Sequence, residues 1–253
     1  MKIASWNVNS IRVRQNQVLD WLEKEKPDVL GLQEIKVPNE KFPIDAFKEV
    51  GYRCEINGQK TYNGVALISR EKATETQSNI PNFEDAQKRL LAATIKNRRI
   101  INVYVPNGQS VDSDKYHYKL NWLDALTRWL KEELVRYERL IVMGDFNITP
   151  DDNDVHDPEA WKNKILCSSP ERDAFNEIVN LGLKDSFRLF AQPEESFSWW
   201  DYRAAGFRRN LGMRIDLLLV SNSVAKDCKS SNIDKEPRSL ERPSDHAPVW
   251  IEC

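Results

Sequence analysis

Leu140-Ile141-Val142-Met143-Gly144-Asp145-Phe146-Asn147-Ile148-Thr149-Pro150 is the stretch on which the reading of this chain turns. It opens as a short apolar run, of the length of a fully buried strand, and Gly144 and Pro150 bracket the polar residues that follow. Asp145 and Asn147 therefore fall where a buried strand ends. Two residues apart in extended backbone, their side chains lean the same way and aim a carboxylate and an amide at one point. The same residue types also make turns, because Asp and Asn bond their own backbone two residues on. For this stretch alone, turn and site both stay open.

The arrangement recurs on either side. Residues 2–6 read as a strand with Asn7 at its carboxyl end, and residues 29–32 run as a buried strand into Gln33-Glu34. Residues 100–105 lead into Pro106-Asn107-Gly108, which puts Tyr104 and Asn107 near a strand end. Arg214-Ile215-Asp216-Leu217-Leu218-Leu219-Val220 carries a carboxylate inside an apolar strand, where it needs either a proton or a cation. Ser244-Asp245-His246 offers the cation. A histidine paired with a carboxylate is held in one orientation and favours its protonated form, which suits a phosphate. A hydrogen-bonded turn is the other common use of a single histidine.

Helices are expected at residues 14–26, ended by Pro27, at 45–50, and from Ser169-Pro170 to about 181. The longest, 116–134, carries Tyr116, Leu120, Leu123, Leu126, Leu130 and Leu134 as its apolar stripe, completed by Trp122 and Trp129. Further strands are expected at 52–56, 64–69, 91–95 and 247–251, and residues 151–161 read as a polar loop. Successive strands through 52–105 with no helix between them imply antiparallel pairing. No low-complexity linker divides the chain, so residues 1–253 read as a single α/β domain.

Composition narrows the function classes. With 40% hydrophobic and 30% charged residues the chain is of the soluble globular type, and no run approaches the roughly 18 apolar residues of a bilayer span. The start, Met1-Lys2-Ile3-Ala4-Ser5, lacks a secretory signal, so a cytoplasmic monomer is expected. Cys54, Cys167, Cys228 and Cys253 show no metal-knuckle spacing and read as free thiols. A three-histidine zinc site would need all of His117, His156 and His246. Oxygen ligands, and hence magnesium or manganese, are the better expectation. A net charge of -2 provides no general attraction to nucleic acid. One local patch does: Trp199 to Arg214 sets Arg203, Arg208, Arg209 and Arg214 against Asp201 alone, interleaved with four aromatics.

These residues, with S-W-N-V-N-S-I-R, D-V-L-G-L-Q-E-I-K, N-G-V-A-L-I-S-R, V-Y-V-P-N-G, M-G-D-F-N-I-T-P, F-S-W-W-D-Y-R, M-R-I-D-L-L-L-V-S and P-S-D-H-A-P-V in order, resemble the exonuclease III family of abasic-site endonucleases over nearly the whole chain. L-Q-E, G-D-F-N and S-D-H also mark the wider deoxyribonuclease I-like superfamily. The resemblance implies a four-layered α/β sandwich, two mixed β-sheets packed face to face with helices outside. It implies that Glu34 binds a divalent metal (Mg2+, or Mn2+), helped by Asn7 and Asp245. Asp145 would aim the attacking water with Asn147, Asp216 would orient His246, and Tyr104 and Asn107 would meet the phosphate. Trp199, Met213 and Ile215 match the family's pocket for a flipped abasic sugar. Lys60, Lys88 and Arg89 lie in loops that reach either phosphate or solvent.

The implied activity is hydrolysis of duplex DNA 5′ to abasic sites and trimming of blocked 3′ ends, by metal-assisted in-line attack of water. Three alternatives stand beside it. One is a 3′-phosphatase or 3′ to 5′ exonuclease with little abasic-site incision. Another is a superfamily phosphoesterase acting on inositol phosphates or a phospholipid head group, which leaves the Arg and Trp loop unexplained. The third, a non-catalytic DNA-binding module, should have lost an expensive buried polar residue, and none of the catalytic-type positions is missing.

Overall fold

The computed structural model describes residues 1–253. Its strands, in chain order, are β1 (Lys2–Asn7), β2 (Val29–Gln33), β3 (Arg53–Asn57), β4 (Val65–Ser69), β5 (Thr74–Ser78), β6 (Leu90–Ile95), β7 (Arg98–Tyr104) and β8 (Leu140–Asp145). Then follow β9 (Lys184–Asp185), β10 (Trp199–Trp200), β11 (Gly212–Met213), β12 (Asp216–Val220), β13 (Ser230–Ile233) and β14 (Val249–Glu252). The helices are α1 (Ile11–Glu25), α2 (Ile44–Glu49), α3 (Asp114–Arg136), α4 (Pro158–Trp161), α5 (Ser169–Asn180) and α6 (Asn222–Ala225). One six-stranded sheet has the order β13-β14-β1-β2-β4-β3, the other β5-β6-β7-β8-β12-β9, and β10 and β11 form a separate hairpin. Each sheet is mixed, with β1 and β2 parallel in the first and β7 and β8 parallel in the second.

Period-two alternation decides what each strand buries. Ile3, Val29, Val65 and Leu67 of the first sheet meet Leu91, Ile100, Ile141, Met143, Leu218 and Val220 of the second. The odd-even partners face outward. Ala4, Trp6, Leu30, Leu32, Ala66 and Ile68 pack under Val18, Trp21 and Leu22 of α1 and Phe47 of α2. Leu90, Ile101, Val103, Val142, Leu217 and Leu219 pack under α3 and α5 through Trp122, Leu123, Leu126, Trp129, Leu130, Phe175 and Ile178. The result is the expected four layers, helix on sheet on sheet on helix.

Some local expectations change. Pairing through residues 53–104 is antiparallel within β3–β4 and within β5–β6–β7, but the chain changes sheets between β4 and β5. Residues 151–161 contain a 3-10 turn and α4, rather than plain loop. On α3, Leu120 and Leu134 are only half buried, while Lys119 and Glu133 sit fully in the stripe. Each of those two charges has a buried partner, Glu171 and Arg99 respectively.

The inner face turns polar toward one rim. Reading toward that rim, Ile3 gives way to Ser5 and Asn7, Ile100 to Asn102 and Tyr104, Ile141 to Met143 and Asp145, and Val220 to Leu218 and Asp216. Asn102 crosses between the sheets, donating to the carbonyls of Leu32 at 3.0 Å and Ala66 at 2.9 Å and accepting from Gln33 at 2.6 Å. Gly31 makes room for that approach, because a Cβ there would lie 2.7 Å from Met143 Cε and 2.9 Å from Asn102 Oδ1. Gly144 is tighter still: at φ 148° its added Cβ would sit 1.9 Å from the Val103 carbonyl oxygen.

Candidate active site

Register brings the rim residues together. Tyr104 pairs with Asp145 across β7 and β8, and Asp145 pairs with Asp216 across β8 and β12. Residues in register share a face, so a phenol and two carboxylates line one row at the edge of the second sheet. Asn7 and the residue after β2, Glu34, come to the same rim from the first sheet. The carboxyl ends of the two parallel pairs and the start of β12 therefore converge on one place.

Asn7 ties the two sheets, its Nδ2 donating to Glu34 Oε1 and to Asp145 Oδ2, both at 2.9 Å. Glu34 lies in left-handed backbone at φ 50°, a conformation that costs a Glu energy and is found at functional sites. Its Oε2 accepts from Lys36 Nζ at 2.7 Å. Burial pushes the Glu34 carboxyl up, but Lys36 and the bonds from Asn7 and Lys36 outweigh it and hold the group below its usual range.

His246 Nδ1 lies 2.8 Å from Asp216 Oδ2, which also accepts from Ser198 Oγ at 2.7 Å. The other ring nitrogen faces Asp145 Oδ2 at 3.8 Å. Burial disfavours the imidazolium, but the carboxylates of Asp216 and Asp145 prevail and raise His246 to about 10. Asp145 moves upward too, through burial and the charges of Asp216 and Glu34, against the pull of His246 and Asn7. Burial beside Glu34 and Asp145 raises Tyr104 well above a free phenol, which keeps its proton available as a donor.

Asn147 answers the turn-or-site question with both. Its backbone is left-handed at φ 49°, not extended, and its N–H donates to Asp145 Oδ1 at 2.9 Å, an Asx turn. Its side chain nevertheless reaches the rim, accepting from Asn107 Nδ2 at 2.9 Å and donating to the Val105 carbonyl at 3.0 Å. Tyr104 and Asn107 also border an open cleft of about 660 Å³ with Tyr62, Lys115 and Tyr118.

Three side chains could hold a metal ion. Single donor atoms of Glu34, Asp145 and His246 lie within 4.8 Å of one another. Asn7 presents its N–H2 to both carboxylates and so bridges them. Asp245, next to His246, accepts from Asn9 Nδ2 at 2.9 Å and Trp199 Nε1 at 3.1 Å. Two hard carboxylates fit a divalent cation that prefers oxygen. His246, held protonated by Asp216, fits an anion better than a cation.

The arginine patch divides. Arg208 and Arg209 are exposed, and Arg203 is exposed but bonded to Asp201 through Nε and Nη2. Arg214 is turned into the fold. It is 1% exposed and bonds Asp154 at 2.6 and 3.1 Å and Asp185 at 2.7 Å. A guanidinium with five donors in a fixed fork suits that double acceptor. Arg89 is also turned inward, donating to the Tyr104 carbonyl at 3.2 Å and lying 4.7 Å from the Tyr104 ring. Lys60 is exposed and Lys88 half buried. Met213 and Ile215 are 0% and 2% exposed and pack with Val155, Leu166 and Cys167, while Trp199 is half buried at the edge of that cluster.

Sequence reading missed Asp154, Lys119 and Glu171. Lys119 had a local signal, a charge on the apolar stripe of α3, whereas Asp154 lay in a run of acids with nothing to single it out.

Acids and an imidazolium at the shared rim of two packed sheets belong to the deoxyribonuclease I-like class of phosphoesterases, and fold and site together define that class here. The chain belongs to the Endonuclease/Exonuclease/phosphatase family, whose model matches residues 4–246. It is 38% identical over 265 positions to exodeoxyribonuclease III of Haemophilus influenzae, covering 100% of this chain and 99% of that one. The structure of the 3′ phosphatase NExo from Neisseria, bound to a product DNA hairpin, is 47% identical with a TM-score of 0.98, covering 100% and 98%. An AP endonuclease from Archaeoglobus fulgidus is 38% identical with a TM-score of 0.96, again covering 100% and 98%. This chain is thus an exonuclease III-like DNA phosphodiesterase. No helix in it is long and apolar enough to cross a membrane.

Proposed function

We propose that the chain's main activity is at DNA 3′ ends, releasing 3′-phosphates and trimming terminal nucleotides, with abasic-site incision as a lesser activity. The carrying observation is the burial of Met213 and Ile215. A flipped abasic sugar needs apolar surface to lie against, and these two offer almost none because Val155, Leu166 and Cys167 already cover them. A terminal phosphate needs only the charged rim. The likeness to the Neisseria 3′ phosphatase supports the same reading. Abasic-site incision keeps its place as the second reading through half-buried Trp199 and the likeness to the Archaeoglobus AP endonuclease.

In this reading Asp145 aims and deprotonates the water, and His246, Tyr104 and Asn107 neutralise the phosphate oxygens. Asp216 keeps the imidazole in one orientation through Nδ1. Magnesium would be held by Glu34, beside Asp145, and would supply Lewis-acid neutralisation of the phosphate. Asn7 spaces the two carboxylates by donating to both.

The test compares a nicked duplex with a 3′-phosphate and a duplex with one abasic site, at equal enzyme, in magnesium and in EDTA. Faster phosphate release, abolished by EDTA, is expected. Faster abasic-site incision would reverse the order of the two readings.

Two further outcomes follow from the rim. Glu34→Gln should raise the magnesium needed for half-maximal rate, and an unchanged titration would remove Glu34 from the metal site. Neutralising Arg208 or Arg209 should each lower the salt slope of duplex binding by roughly one unit. Wild-type slopes in both variants would place the binding surface elsewhere.

A further inference from the structure

Lys119 of α3 has no exposed surface, although its helix stripe is otherwise almost wholly apolar. Its ammonium has three donors, and all three are used. One goes to the Glu171 carboxylate, one to the Asn147 carbonyl at 2.6 Å and one to the Asn107 carbonyl at 3.2 Å. Glu171 is fixed in turn at the start of α5. Its Oε1 accepts from the Leu166 N–H at 3.1 Å, and its Oε2 from the Ser168 N–H at 3.1 Å and Ser168 Oγ at 2.6 Å.

The two carbonyls belong to the loops that follow β7 and β8, and the same two residues meet again through their side chains at 2.9 Å. Asn147 sits in left-handed backbone, which its surroundings must hold in place. Packing alone would be met more cheaply by an apolar side chain of the same length, since a buried ammonium has to recover its lost hydration. The donors are spent on rim-loop backbone, so the charge has a task beyond filling space.

We propose that Lys119, anchored by Glu171, is a positioning residue of this active site, locking the Asn107–Asn147 amide pair in the geometry that meets the substrate phosphate. That inference rests on the functional reading above for what the amides meet. Being fully covered, Lys119 touches no substrate and acts through the two loops. Its removal loosens the amides, which is felt in the transition state more than in binding of the DNA.

The experiment uses the full chain and a nicked duplex carrying a 3′-phosphate in magnesium, with thermal unfolding as a control. Folded Lys119→Met should lose about 100-fold in kcat, the scale of a small misplacement of reacting groups. KM should stay within about twofold, and Lys119→Met with Asn147→Ala should be no more than about twofold slower than Asn147→Ala alone. A folded Lys119→Met with wild-type kcat, or losses that multiply in the double variant, would overturn the proposal. Should Lys119→Met not fold, Glu171→Gln keeps the oxygen acceptor and removes the anchoring charge. It should lose roughly tenfold in kcat at unchanged KM, and an unchanged kcat there overturns the proposal equally.

A readout free of activity separates the two readings. In the DNA-free protein labelled with 15N, the side-chain amide signals of Asn107 and Asn147 should be dispersed, and should move toward the positions of solvent-averaged amides in Lys119→Met or Glu171→Gln. Unmoved signals would sink the positioning role. A wild type that releases no 3′-phosphate would sink only the functional reading.

Discussion

Asp145→Asn is expected to slow 3′-phosphate release by about 10²–10⁴-fold while duplex affinity and folding hold, the range lost with a general base. The substitution is nearly isosteric, and it falls at the point where both sheets meet. Asp145 Oδ1 accepts from the Asn147 N–H and Oδ2 from Asn7 Nδ2, each at 2.9 Å. An amide can satisfy only one of these, so its N–H2 must face one of those two donors and the water-aiming geometry is lost along with the charge. Burial above all, then the charges of Asp216 and Glu34, make Asp145 hold its proton more tightly than a free aspartate. Single-turnover rates at saturating DNA, with binding measured separately, check the prediction. A rate within about tenfold of wild type in a folded variant would take Asp145 out of the chemical step.

Arg214→Leu should act on folding, costing about 3–5 kcal/mol, because it takes the Arg214 cation from buried Asp154 and half-buried Asp185. Arg214 bonds both oxygens of Asp154 and one of Asp185, and it lies 5.0 Å from the Phe187 ring. Arg188 still reaches Asp154 Oδ1 at 2.6 Å, so the lower half of that range is the better expectation. Urea unfolding gives the loss directly. At a temperature where the variant is folded, its salt slope for duplex binding should match wild type, since a residue 1% exposed releases no counterions. A loss below about 1 kcal/mol together with a changed slope would return Arg214 to the DNA surface.

Much of the rim was legible because the inward alternation that buries Ile141 and Met143 continues without interruption to Asp145, and likewise from Ile100 to Tyr104 and back from Val220 to Asp216. A polar residue in phase with a buried face must lie at the end of that face or be paired, and strand ends are marked locally by Gly144, Pro106 and Pro150. The Asp216–His246 pairing was inferred by the same logic, from a carboxylate that needed a cation, and the structure places the two 2.8 Å apart. Of the two conformations left open for Asn147, the Asx turn wins over extended backbone because the strand has ended.

By itself, then, the sequence determined the apolar strands, their inward faces and the acids at their ends, because alternation and turn chemistry act over a few residues, whereas the polar or very short edge strands β5, β9 and β13 carried no such pattern. Apart from Asp216 and His246, only the tertiary structure decided which polar groups pair and which apolar residues are covered. Arg214 and Asp154 are 60 residues apart, Lys119 and Glu171 52 apart, and Gln33 and Asn102 69 apart. Arg208 and Arg214 look alike in a basic aromatic stretch, and nothing local to Met213 announces that Val155 and Leu166 pack with it. Burial is a property of what the rest of the chain brings alongside, and no local pattern carries it.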